Sequence, residues 1–164
     1  MNIEAFWQRV DAARAAAGEN TEDRPAELHA QLSGLSAEEL ESFQQHYDEL
    51  LNRSFRWDLW AAAYIINGGC SDDGFRYFRD WLISEGRATF EAALAAPESL
   101  AGLPHVGDAE LESFGYVALE LYEETDVTGR MPRIPSNERH GPAGAEWKED
   151  EVDDLFPRLA AKYG

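Results

Sequence analysis

Apolar residues recur along most of the chain at three- and four-residue intervals, the period of a helix with one buried stripe. Phe6, Val10, Ala13 and Ala17 form one such series, with Asn2 placed to cap it and Gly18 to end it. Pro25 suits the first turn of a second helix carrying Leu28 and Leu32, stopped near Gly34. Ser36 and Glu39 have capping-box spacing ahead of a third helix that turns Leu40, Phe43, Tyr47, Leu50 and Leu51 inward. The stretch RWDLWAAAYIINGG is apolar almost all round, so it is expected to be the central buried helix, ended by Gly68-Gly69.

Ser71-Asp72 then opens SDDGFRYFRDWLISEGR, with Phe75, Phe78, Trp81 and Leu82 on one face and Gly86 at the end. A short helix is expected over Thr89 to Ala96, ended by Pro97. Another is expected to be capped by Asp108 and to carry Leu111, Phe114, Val117, Ala118, Leu121 and Tyr122. Residues 127–146 contain three prolines, three glycines and no period, which predicts a long loop or a mobile arm. The C-terminal stretch predicts a last helix with Val152, Leu155, Phe156 and Leu159 inward, kinked at Pro157 or starting there. The predicted fold is all-α: a single bundle of roughly seven to nine helices, with a core domain over 1–126, the loop or arm over 127–146, and 147–164 packing on the same domain.

Several segments together resemble the bacterial family called domain of unknown function 4240. They are Phe6-Trp7, the run LWAAAYIINGGCSDDGFRYFRDWLISEGRATFEAAL from Leu59 to Leu94, PESLAG at Pro97 to Gly102, and FGYVALELYEE. The resemblance runs from the start to about Thr125 and implies a small, soluble, mainly helical bacterial domain. It implies no reaction, so no catalytic residue is carried over.

Charge narrows the partners. The chain has 32 acidic and 14 basic side chains, a formal net charge of −18. Phosphate backbones and anionic lipid surfaces repel such a protein, which argues against nucleic-acid and membrane partners and for a basic protein. No apolar run is long enough for a membrane helix, and the N-terminal segment is too acidic for a signal peptide. Cys70 is the single cysteine, so no internal disulfide can form and a cytoplasmic location is the default expectation. The expected cofactor is none and the expected metal is none. His29, His46, His105 and His140 are scattered, and no calcium loop or nucleotide-binding, hydrolase or zinc signature is present.

Candidate chemistry concentrates around the central motif. Asp72, Arg76 and Asp80 lie at successive i, i+4 steps, and Asp72 and Asp73 sit where a helix N-terminus favours carboxylates. These charges brace the helix on one reading. On the other, Arg76, Arg79 and Arg87 converge with Trp60 and Tyr77 on an anionic or planar ligand, giving the candidate set Trp60, Asp72, Asp73, Arg76, Tyr77, Arg79 and Arg87. Cys70 precedes a helix N-terminus and reads as a small buried cysteine; the alternative is a thiol of low pKa with His105 as its partner. Tyr116, Glu120, Glu123 and Glu124 read as a solvated stripe. Arg130, Arg133 and Arg139 make 127–145 basic against an acidic body, suited to folding back onto it or reaching an anionic partner. The expected function is a non-enzymatic acidic interaction domain that binds a basic protein, immunity-like or regulatory. The alternative is a small-ligand binder or enzyme using the arginine–aromatic cluster.

Overall fold

The computed structural model describes residues 1–164 and contains nine α-helices joined by turns and short 3₁₀ segments, with no strand. The first helices follow local chemistry closely. α1 (Ile3–Ala17) begins where Asn2 accepts the Ala5 amide at 2.8 Å and ends at Gly18, whose φ of 61° belongs to glycine. α2 (Arg24–Leu32) has Pro25 in its first turn and packs along α1. α3 (Ala37–Arg53) starts in a closed capping box, with the Glu39 amide donating to the Ser36 hydroxyl at 3.2 Å and the Ser36 amide returning to the Glu39 carboxylate at 3.3 Å.

α4 (Trp57–Asn67) is followed by α5 (Asp72–Ser84), α6 (Arg87–Ala95) and, after a 3₁₀ turn at Pro97–Gly102, a long loop. The central helix is α5 rather than α4. Every residue from Phe78 to Glu85 is buried, whereas Trp57, Trp60 and Tyr64 of α4 stay half-buried. The outer side of α4 is apolar because the C-terminal part of the chain covers it: Trp147 donates its indole N–H to the Trp57 carbonyl at 2.7 Å and packs edge-on against Trp57 and Tyr64. Inside the bundle Phe6 meets Phe43, Phe75 meets Phe78, and Phe78 meets Trp81, all within one continuous hydrophobic core.

The helix expected from Asp108 does not begin there. Asp108 is exposed, and the backbone beside it is committed elsewhere: the Ala109 amide donates to the Asn67 side chain at 2.9 Å and the Leu111 amide to the Tyr77 carbonyl at 3.0 Å. A 3₁₀ turn at Glu112–Tyr116 leads into α7 (Val117–Glu123), which lies against α3. α6 likewise starts at Arg87, two residues before the expected Thr89, because Gly86 (φ 93°) already turns the chain out of α5.

Residues 127–146 run over α3 and α4 and are fastened by side chains and by a two-way backbone contact. The Ala143 amide donates to the Phe55 carbonyl at 3.1 Å, and the Trp57 amide to the Ala143 carbonyl at 2.9 Å. The C-terminal stretch is two helices, α8 (Val152–Leu155) and α9 (Pro157–Tyr163). Phe156, forced out of the helical region by the proline after it, separates them. That break changes the helical phase, so Val152 and Leu159 are buried as expected while Leu155 points to solvent and Phe156 is half-buried.

Candidate functional site

The α3–α5 seam carries most of the molecule's buried charge. Tyr47, which the periodicity turns inward on α3, donates its hydroxyl to Asp80 Oδ1 at 2.5 Å, and Asp80 is only 2% exposed. Arg76, one turn earlier on α5, holds its Nε 3.7 Å from Asp80 Oδ2, within ion-pair range but too long for a hydrogen bond. That buried Nε has no hydrogen-bond partner. Burial pushes the Asp80 carboxyl up to about 7, although Arg76, the Tyr47 hydrogen bond and Arg79 all favour its charged form. The Tyr47 phenol is raised too, by burial first and by Asp80 next. Gly115 makes room for this carboxylate: a Cβ there would stand 2.7 Å from Asp80 Oδ1.

Arg79 lies one turn deeper and is 1% exposed. It donates to the Leu51 carbonyl at 2.7 Å and to Glu138, and its guanidinium lies over the rings of Phe55 and Phe75 at 4.7 and 4.9 Å. Burial draws its pKa down while Glu138 holds it up. On the neighbouring turn of α3, the Asp48 carboxylate receives Arg133 Nε and a terminal guanidinium nitrogen, both at 2.8 Å, plus the Gln44 amide at 3.0 Å and the Ile134 backbone N–H at 3.2 Å.

A hollow of about 520 Å³ opens beside this seam, lined by Asp72, Asp73, Arg76 and Tyr77 from α5 together with Tyr116, Leu119, Phe55, Arg133 and Glu138. Four residues of the candidate set therefore come together: Asp72, Asp73, Arg76 and Tyr77. The other three do not join them. Arg79 is enclosed in the core beneath the hollow, where the Leu51 carbonyl, Glu138 and the rings of Phe55 and Phe75 partly offset the cost of burying its charge. Trp60 stacks at 4.9 Å on Phe75 and donates to the Cys70 carbonyl at 2.9 Å, away from the hollow. Arg87 is exposed beyond the far end of α5, its backbone N–H on Asp11 at 3.0 Å. The predicted convergence of Arg76, Arg79 and Arg87 with Trp60 and Tyr77 is thus corrected to a smaller group around Arg76.

The Cys70 thiol is pushed up to about 12, by burial first and by Glu110 next, so the helix N-terminus does not make it a thiolate. His105 packs its ring on Tyr163 at 5.0 Å. Arg133 folds back onto the acidic body, as one reading of the basic segment had it. Asp48, Asn52, Arg133, Glu138 and Gly115 were absent from the candidate set. The Gln44, Asp48, Asn52 series at i, i+4 spacing on α3 was the available signal.

A second concavity, about 1060 Å³, runs between the α1–α2 turn and the loop after Leu103. It is lined by Asp11, Glu19, Glu22, Glu85, Asp108 and Glu110 against Arg14, Arg24 and His105. Both arginines are already engaged by Glu85, at 3.7 and 3.0 Å, so the groove is left anionic. Burial and the neighbouring Asp108 charge raise the Glu110 carboxyl, as expected where carboxylates crowd. No group of three His, Cys, Asp or Glu is arranged to hold a metal ion, and no helix is long and apolar enough to cross a membrane. No curated protein and no solved structure matches the chain. The sequence family does: residues 1–124, which carry α1 to α7 and both halves of the α3–α5 seam, belong to the family described as protein of unknown function (DUF4240).

Proposed function

We propose that the protein is a non-enzymatic interaction domain whose acidic groove receives a basic segment of a partner protein. The observation that carries this reading is the sorting of charge. Seven of the 12 arginines are paired with carboxylates of the chain itself: Arg14, Arg24, Arg53, Arg56, Arg76, Arg79 and Arg133. These pairs use only six of the 32 carboxylates: Asp48, Asp58, Asp80, Glu85, Glu91 and Glu138. Arg9 and Lys162 are turned onto backbone carbonyls. The positive charge is largely consumed internally and the negative charge faces outward, a field that speeds encounter with a basic surface and rejects acidic ones.

A fluorescent arginine-rich peptide tests the site. Neutralising Glu19, Glu22, Asp108 and Glu110 to their amides should weaken its binding several-fold more than neutralising Glu120, Glu123, Glu124 and Asp126, although both changes remove the same charge. Binding should also fall as salt is raised. Equal loss from the two variants would mean that net charge, not the groove, attracts the peptide, and the reading would fail.

A second reading rests on Arg76, whose side chain lines the smaller hollow beside Tyr77 and Tyr116 and meets Asp80 only at 3.7 Å. It makes that hollow a site for a small anion. Thermal-shift titration with phosphate and with dicarboxylates is expected to stabilise the protein, and Arg76→Ala to abolish the response; an unchanged response in Arg76→Ala removes this reading.

A further inference from the structure

Residues 131–138 cross the C-terminal half of α3 as a strap, and two kinds of contact hold them. Asn52 treats the strap as backbone: its Oδ1 accepts the Asn137 N–H at 3.1 Å while its side-chain amide donates to the Pro135 carbonyl at 3.0 Å. A donor and an acceptor two residues apart on an extended chain are what a neighbouring strand would present, so Asn52 recognises any extended segment. The Asn137 side chain answers by donating to the Asn52 carbonyl at 3.0 Å. The second kind of contact is specific to side-chain charge. Asp48 takes Arg133 in a fork, and Arg79 takes Glu138.

The two sockets and their occupants fall on opposite sides of the family match. Asp48, Asn52 and Arg79 lie within the residues that match the family, and Arg133, Asn137 and Glu138 lie outside them. The matched region thus buries a carboxylate and a guanidinium whose opposite charges are delivered by a segment outside it. The strap itself is lightly anchored. Met131 is its one buried side chain, and Pro132, Arg133, Pro135, Ser136 and Glu138 are exposed. A segment with so little apolar burial opens locally at modest cost, yet bare Asp48 and Arg79 are costly, so the vacancy favours only a replacement with the same charges. Pro132 and Pro135 suit this role because proline fixes φ and removes a donor, keeping the segment extended and disfavouring helix.

We propose that the face formed by the end of α3, Phe55 and Arg79 is a docking site for an extended peptide segment of a partner that presents an arginine five residues ahead of a glutamate, and that the chain's own residues 131–138 occupy it in cis. This site is separate from the acidic groove and does not depend on it. Recognition divides as in other peptide sites: main-chain contacts supply affinity, and the charged sockets supply selectivity.

The test uses the full chain with its strap disarmed by Arg133→Ser and Glu138→Ser, and a labelled synthetic peptide of residues 129–140. The peptide should bind the disarmed chain saturably and raise its melting temperature, and bind the wild-type chain at least about tenfold more weakly, because the cis segment competes at high effective concentration. The same peptide carrying Arg133→Glu should lose at least about tenfold in affinity. No saturable binding, or equal binding of the charge-reversed peptide, overturns the proposal. Hydrogen exchange on the wild-type chain gives a check that needs no variant to fold. The Ile134 and Asn137 amides should exchange through an opening that leaves Phe78 and Trp81 protected. Exchange of both groups in a single global event would show that the strap cannot be released, and would overturn the proposal equally.

Discussion

Asp48 and Asp80 are buried carboxylates on neighbouring helices, and they are satisfied in opposite ways. Asp48 receives four donors, including both arms of the Arg133 fork. Asp80 receives one, the Tyr47 hydroxyl, with Arg76 held 3.7 Å away, too far for a hydrogen bond. The supply of donors explains the difference. An arginine four residues away on the same rigid helix stops 3.7 Å from its carboxylate, whereas the strap has no helix to obey and lays Arg133 side-on, presenting Nε and a terminal nitrogen together. Asp80 therefore remains dominated by burial, with its proton affinity raised into the neutral range, while Arg133 is itself pushed up by its hydrogen bonds to Asp48. Apolar packing builds the seam, but which charges it tolerates depends on how many donors geometry can deliver.

Asp80→Asn sharpens the comparison most. A carboxyl with a raised folded-state pKa binds more protons folded than unfolded, so its contribution to stability is greatest below its unfolded pKa near 3.8 and is lost as pH rises towards about 7. The variant removes that penalty while keeping an oxygen for Tyr47. Relative to wild type it should gain stability progressively between about pH 4 and pH 7, by up to about 4 kcal/mol. Urea denaturation across that range checks it, and a difference independent of pH would mean Asp80 stays ionised throughout.

Arg133→Ala breaks the better-satisfied partner. It leaves Asp48, with a side chain 5% exposed, without its cation. Because the Arg133 side chain is 39% exposed, the loss is discounted from the fully buried case to about 2 kcal/mol. Denaturation at pH 7 should show it, and Lys at 133 should recover only part, lacking the planar fork. Gly115→Ala is expected to have the smallest effect, about 1–2 kcal/mol, by crowding Asp80 and bending its bond to Tyr47. It should also move the pH transition of Asp80. A destabilisation with no change in that transition would show the crowding is relieved elsewhere.

Much of the fold is legible locally. The Asn2 and Ser36 caps, Pro25 in the first turn of α2, the glycine stops and the inward face of α5 all appear where spacing places them, because each depends on contacts three or four residues apart. The misread elements have a common cause. α4 is apolar all round because a distant segment covers it, the residues after Asp108 give their backbone bonds to Asn67 and Tyr77, and Leu155 is turned outward by a proline two residues on. The candidate site divides the same way. Asp72, Asp73, Arg76 and Tyr77 share a helix face and stay together, while Trp60, Arg79 and Arg87 were joined only by nearness in the chain.

The amino-acid sequence by itself determined that this would be an acidic helical protein, and where most helices begin and end, since those are matters of composition and of neighbours within a turn. Only the tertiary structure decided which charges became internal. Asp48 meets Arg133 across 85 positions and Arg79 meets Glu138 across 59, and no local pattern announces such a pairing. A buried charge is tolerated only when a particular donor or acceptor arrives at hydrogen-bonding distance, and that depends on the path of the whole chain.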